Sequence, residues 1–189
     1  MVRFSSVAIL TVLLSATGLV AQQETLFGDS GLRLTGVWAG PSMGMSFFNN
    51  ETVATRGAFW GAEFNEIILV GFGNEKTFEP VQLVTGEPDK YTFKHGGFFV
   101  AYHPVEEKLI HPVFSFKLGS GEVKNNFAAK DKVFAVQPAG GFEINVFQWW
   151  KVGMEGGYLF TSRIDMPNLS NQDLSAFFVN LKLRFGFSW

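Results

Sequence analysis

No cysteine occurs among the 189 residues, which excludes disulfide cross-links, thiol nucleophiles, thiolate metal sites and lipid attachment at a mature N-terminal Cys. An excess of one charge is also lacking. Fifteen Lys and Arg stand against 17 Asp and Glu, a formal net charge of −2, so nothing favours binding to nucleic acid. Long apolar runs are missing as well: beyond the first twenty residues none approaches the roughly 20 residues that a membrane helix needs.

Apolar residues are nevertheless plentiful. The chain holds 22 Phe and 21 Gly and is 47% hydrophobic. Apolar content this high, dispersed rather than concentrated, is the mark of alternating strands. The N-terminus opens with Arg3, an apolar run from Val7 to Leu14, small residues Ser15 to Gly18, and Ala21. That is the layout of a secretory signal peptide, residues 1–21, with cleavage expected after Ala21 and a single domain over 22–189. The run is too short and interrupted to serve as a transmembrane helix.

Alternation is clearest at the C-terminus. Phe177, Val179, Leu181, Leu183, Phe185, Phe187 and Trp189 share one face, with Phe178, Asn180, Lys182, Arg184, Gly186 and Ser188 between them. Similar two-residue periods predict eight strands near 31–48, 52–64, 67–76, 91–104, 109–119, 132–147, 151–163 and 174–188. In the first, Leu32, Leu34 and Trp38 share a face with each other, whereas Met43, Met45 and Phe47 lie in the opposite phase. That slip points to a β-bulge at Pro41. Connectors after the second, fourth and sixth strands are short; 77–90, 120–131 and 164–173 are longer, and the short Asn49–Glu51 connector is the exception. Short and long connectors alternate in this way when both termini of a barrel lie in the periplasm. A hairpin hidden in 77–90 or 120–131 would raise the strand count to ten.

The predicted fold is therefore an all-β, antiparallel, up-and-down transmembrane β-barrel of about eight strands, with a bacterial outer-membrane location. A soluble lipocalin-like carrier of an apolar ligand is the alternative. The two differ in which face points outward. Eight strands enclose a lumen just wide enough for side chains, so the bulky face is expected outside, where water would cost about 1.5–3 kcal/mol per large side chain and lipid would not. Trp149, Trp150, Trp189 and Tyr91, near strand ends, suit interfacial aromatic girdles.

The ending Leu181 to Trp189 looks like the C-terminal insertion signal that the barrel-assembly machinery reads in outer-membrane proteins. The chain also resembles a family of small, largely uncharacterised outer-membrane β-barrel proteins from Bacteroidota. The resemblance rests on Gly40-Pro41, the stretch from Gly57 to Gly71 around Asn65, Val136-Gln137-Pro138, Phe142 to Val146, Gly157 to Phe160, and above all Ile164 to Leu174. It covers essentially the whole mature chain. Phe59 stands where that family often has Arg, and Ala101 and Gln137 where acidic residues are common, which thins the charge network that the resemblance implies for the lumen. The family has no settled activity.

On the polar face lie Lys117, Glu143, Lys151, Glu155, Lys182 and Arg184. A hairpin centred near Trp149 would bring Glu143 roughly opposite Glu155, and two buried carboxylates call for cations between them. These six residues are read as an internal ion-pair cluster, a structural plug in preference to a conduction gate. No catalytic role is assigned. His95, Asp89, Asp131, Asp165 and Asp173 show no spacing that identifies a nucleophile and base, and Asp165 and Asp173 fit turn positions around Pro167-Asn168. His103 and His111 flank a periplasmic turn. The three His are expected not to cluster and no Ca²⁺-loop spacing occurs, so no metal or cofactor is expected. The partners implied are outer-membrane lipid, the assembly machinery and a surface ligand or protein meeting loop 77–90. The last, with Phe78, Val81, Leu83 and Val84, is less polar than a solvated loop and would otherwise fold over the barrel mouth. The reading is of a monomeric or weakly associating barrel in a structural, adhesive or surface-interaction role, with a small-solute pore as a further alternative.

Overall fold

The computed structural model describes residues 31–48, 51–84, 88–105, 108–127 and 129–189; the expected signal peptide lies outside them. The unit Leu34–Trp189 is a closed barrel of eight antiparallel strands in sequence order, β1 Leu34–Phe47, β2 Thr52–Phe64, β3 Ile68–Thr77, β4 Tyr91–Tyr102, β5 Ile110–Asn125, β6 Lys130–Phe147, β7 Trp150–Ser162 and β8 Ala176–Ser188. Pairing of β8 with β1, from Phe177 opposite Phe47 to Ser188 opposite Gly36, closes it. No sheet edge is left open, which a hydrocarbon solvent demands because it cannot satisfy free backbone groups.

Strand count settles at eight. The segment 120–131 adds no strand; it lengthens β5 and β6, which stay paired to Lys124 opposite Lys130. The bulge lies elsewhere than at Pro41. The β1–β2 register shifts between Leu34 and Gly36, and beyond it Val37, Ala39, Pro41, Met43, Met45 and Phe47 all point outward while Trp38 points inward, buried. The expected slip is real but falls earlier: Leu32 and Leu34 are exposed on one phase and Val37 onward on the other, and counting Trp38 with the lipid face places it too late. The proline needs no bulge because its side chain simply takes an outward position in phase with its neighbours.

Outward alternation is regular elsewhere. Phe98, Val100 and Tyr102 on β4, Phe114, Phe116 and Leu118 on β5, and Phe177, Val179, Leu181, Phe185 and Phe187 on β8 are exposed. Around the barrel these side chains form an apolar coat, the inverse of a soluble carrier, whose charges coat the exterior. Trp149 and Trp150 stack with Phe147 and Phe185, ring centroids 5.5 to 6.4 Å apart, an aromatic cluster at the short-turn end. Tyr91 does not join a girdle. It is buried at the opposite mouth, its backbone bridged to Val81.

The interior is less uniformly small than its narrowness suggests. Trp38, Phe59, Phe93, Phe99 and Phe178 point inward, and glycines make room for them. A Cβ on Gly186 would stand 2.8 Å from the Trp38 ring, so the ring lies against bare backbone. The tight β2–β3 turn places Asn65 and Glu66 in the left-handed region, φ 53° and 62°, a conformation that Asn tolerates better than Glu.

Candidate functional site

All six candidate lumen residues point inward, but the structure distributes them over two layers rather than one cluster. Register explains the division. Glu143 lies opposite Gly153 and Glu155 opposite Gly141, so the two carboxylates are offset by two residues along the strand and do not face each other.

The layer nearer the short-turn end centres on Arg184. Its guanidinium reaches Glu63 at 3.3 Å and Glu143 at 3.5 Å, and stands 3.2 Å from His103 Nε2. It also lies 4.4 Å over the Trp38 ring, where Lys151 Nζ joins it at 4.6 Å. Ser188 Oγ donates to the second oxygen of Glu63 at 2.5 Å. His111 Nε2 is 3.3 Å from Glu143. Arg184, Glu63 and His111 are each only 1% exposed. Charges so enclosed are tolerable only as partners, since each unpaired ion would cost several kcal/mol.

The second layer lies farther toward the long-loop end and has two carboxylate hubs. Glu75 receives Lys117 Nζ at 3.0 Å, Asn180 Nδ2 at 2.9 Å, Gln137 Nε2 at 3.1 Å and His95 Nε2 at 3.3 Å. Glu155 receives Lys182 Nζ at both oxygens and Ser115 Oγ at 2.6 Å. Glu63, Glu75, Glu143 and Glu155 thus face Lys117, Lys151, Lys182 and Arg184, a balanced interior. Between the side chains of this layer remains a cavity of about 30 Å³, space for a water or two.

Above it an apolar cluster fills the mouth. Phe48, Tyr91, Phe93, Val123, Val133 and Phe178 meet loop residues Val81, Leu83, Leu169 and Leu174. Val81 is 0% and Leu83 1% exposed, so the apolar residues of loop 77–90 turn into the barrel, while Phe78, Glu79 and Pro80 remain outside. Asp131 accepts from Lys132 N and Asp165 N, and Asp173 from Ser170 N and Oγ. These two carboxylates fasten the loop backbone, and Asp165 contributes its N–H.

Glu63, Glu75, Trp38 and Asn180 were not among the expected lumen cluster, and the three His, expected not to cluster, include a pair, His103 and His111, with ring centroids 6.0 Å apart. Parity alone carried the signal. His95 and His103 share the phase of Phe99 and Ala101, opposite to the outward Phe98 and Val100, and so point inward. Donor atoms of His103, His111 and Glu143 lie within 4.8 Å of one another, a spacing that would suit a metal ion. The Arg184 guanidinium against the same Glu143 oxygen opposes a divalent cation there.

No family model and no curated protein matches the sequence. Solved structures do match in fold. Neisserial surface protein A (NspA) aligns with a TM-score of 0.57 at 10% identity, covering 84% of this chain and 99% of that one. The attachment invasion locus protein Ail of Yersinia pestis, alone and in complex with the heparin analogue sucrose octasulfate, aligns at TM-scores of 0.45 and 0.48, with 11% and 12% identity. Those alignments cover 84% and 82% of this chain and 99% and 97% of Ail. The fold comparison rests on NspA. With an apolar exterior around a charged lumen, the chain has the eight-stranded fold of an outer-membrane β-barrel.

Proposed function

We propose that this outer-membrane barrel is a plugged scaffold, anchored by its strands and presenting its long loops at the cell surface in a structural or adhesive role. What supports this reading is how the lumen is lined: two layers of paired charges, a cavity of about 30 Å³ between the side chains of the upper layer and an apolar cluster of strand and loop residues at the mouth. A solute path through the barrel would have to break several ion pairs whose partners are buried, each break costing about 3–5 kcal/mol. Surface contact then falls to loop side chains left outside, such as Phe78, Glu79 and Pro80, rather than to Val81 and Leu83.

Planar-bilayer recording on the refolded full chain tests the reading. The expected trace is flat; regular unitary steps at low voltage would support a small-solute pore instead. Insertion would rest on the outward series Phe177, Val179, Leu181, Leu183, Phe185, Phe187 and Trp189 as the segment read by the assembly machinery. Removing Trp189 should then leave chain in the periplasm. Origin in Bacteroidota rests on the sequence resemblance, strongest in Ile164 to Leu174.

A further inference from the structure

We propose that the outer face of β2 to β6, near the long-loop rim, is a docking surface for an anionic lipid of the outer leaflet that carries more than one phosphate. This rests on the outer-membrane reading above.

Register brings the charges together. Arg56 lies opposite Lys76, Lys76 opposite Lys94, Lys94 opposite Glu122, and Glu122 opposite Lys132. All five occupy outward-facing positions, so one row across five strands holds four cations and one carboxylate. Farther along, Lys124 stands opposite Lys130, both exposed. Like charges directly opposite across a strand pair are destabilising, and this row has two such pairs in succession. Among the described residues the carboxylate within salt-bridge reach of the row is Glu122, 3.2 Å from Lys94. A chain of net charge −2 has thus concentrated cations on one stretch of its exterior.

The strata beneath fit a lipid. Two residues toward the membrane centre the row becomes Asn74, Gly96 and Ser120, and two further Phe72, Phe98 and Leu118. Phe72 stacks against Trp60 and meets Phe98 at 3.8 Å between centroids, a wall for acyl chains. The small residues above it floor a groove of about 560 Å³ that opens among Lys76, Lys94, Glu122 and Lys132, where a headgroup can approach the backbone. Strands in such barrels are tilted, so the row climbs from β2 to β6. Arg56, the deepest, lies 4.9 Å over the Phe78 ring, its long stem turning the charge toward the interface. On the opposite side β8 and β1 carry Phe177, Val179, Met45 and Phe47 to the same rim, with no comparable row of cations among the described residues.

The test uses the full chain refolded in neutral detergent and titrated with diphosphoryl lipid A, the same lipid stripped of phosphate, or inorganic phosphate, with bound lipid read by native mass spectrometry. Unchanged heat-modifiable mobility confirms that each variant is folded. Wild type should prefer the diphosphoryl lipid. K76Q/K94Q should weaken it by about 25-fold, about fivefold for each lysine near an anionic surface. E122Q should tighten it severalfold, a gain that a merely structural role would not produce. Equal binding of the two lipids, an unaffected K76Q/K94Q variant, or displacement of the lipid by millimolar inorganic phosphate would each overturn the proposal. A chain that fails to enter vesicles at all would instead defeat the outer-membrane reading beneath it.

Discussion

Lys182 Nζ donates to both oxygens of Glu155, at 2.7 and 2.8 Å, across a diagonal of the β7–β8 pair in which Lys182 itself lies opposite Gly153. The space at Gly153 is bordered by Glu143 and Phe142, and the lysine reaches along the barrel to the carboxylate two residues away.

Replacing Glu155 by Ala strands Lys182 and Ser115. Breaking a fully buried pair costs about 3–5 kcal/mol, but the Lys182 side chain is 22% exposed and keeps some solvent. A loss of about 2–3 kcal/mol is expected, read as a lower urea midpoint for the vesicle-embedded barrel.

Glu143→Ala should cost more. It leaves Arg184, enclosed beneath Trp38, with Glu63 as its remaining carboxylate among those described, and deprives His111 of its facing oxygen. A penalty of about 3–5 kcal/mol follows. An unchanged heat-modifiability profile for this variant would remove the case for the lower ion-pair layer.

Gly186→Ala tests the packing of Trp38. The new methyl would meet the indole ring at 2.8 Å and the Val37 carbonyl oxygen, and the backbone contact cannot be relieved by a rotamer change. A destabilisation of about 1–3 kcal/mol is expected, with a change in tryptophan emission that Gly73→Ala should not produce, since a Cβ on Gly73 meets its nearest neighbour at 3.5 Å.

Leu83→Ala removes a fully buried side chain from the cap and should loosen the loop by about 2–5 kcal/mol. The measurement is local: external protease should cut within 77–90 faster, while the strands keep their folded mobility on gels. Wild-type cleavage rates in the variant would mean that the cap does not depend on this contact.

Much of the architecture was legible in the residues because a strand has a period of two. Once Phe177 to Trp189 and Ile110 to Leu118 are assigned to lipid, every second residue is assigned to the lumen, Lys117, Glu143, Lys151, Glu155, Lys182 and Arg184 included. The bulge was misplaced because Trp38 is large and apolar, and size alone assigns it outward; Gly186, distant in sequence, makes an inward position available. Tyr91 was misassigned for a related reason, since its enclosure comes from Val81 and Leu83 folding back over the mouth.

By itself the sequence determined the strands, their alternation and the solvent that each face meets, because these follow from local periodicity and the transfer energy of side chains. Only the tertiary structure decided which charges meet. Stagger between neighbouring strands moved Glu143 to Arg184 and Glu155 to Lys182, gave Glu75 to Lys117 and His95, and aligned Arg56, Lys76, Lys94 and Lys132 in one outer row. Register is a property of pairs of strands, set by closure of the whole barrel, and no single strand carries it.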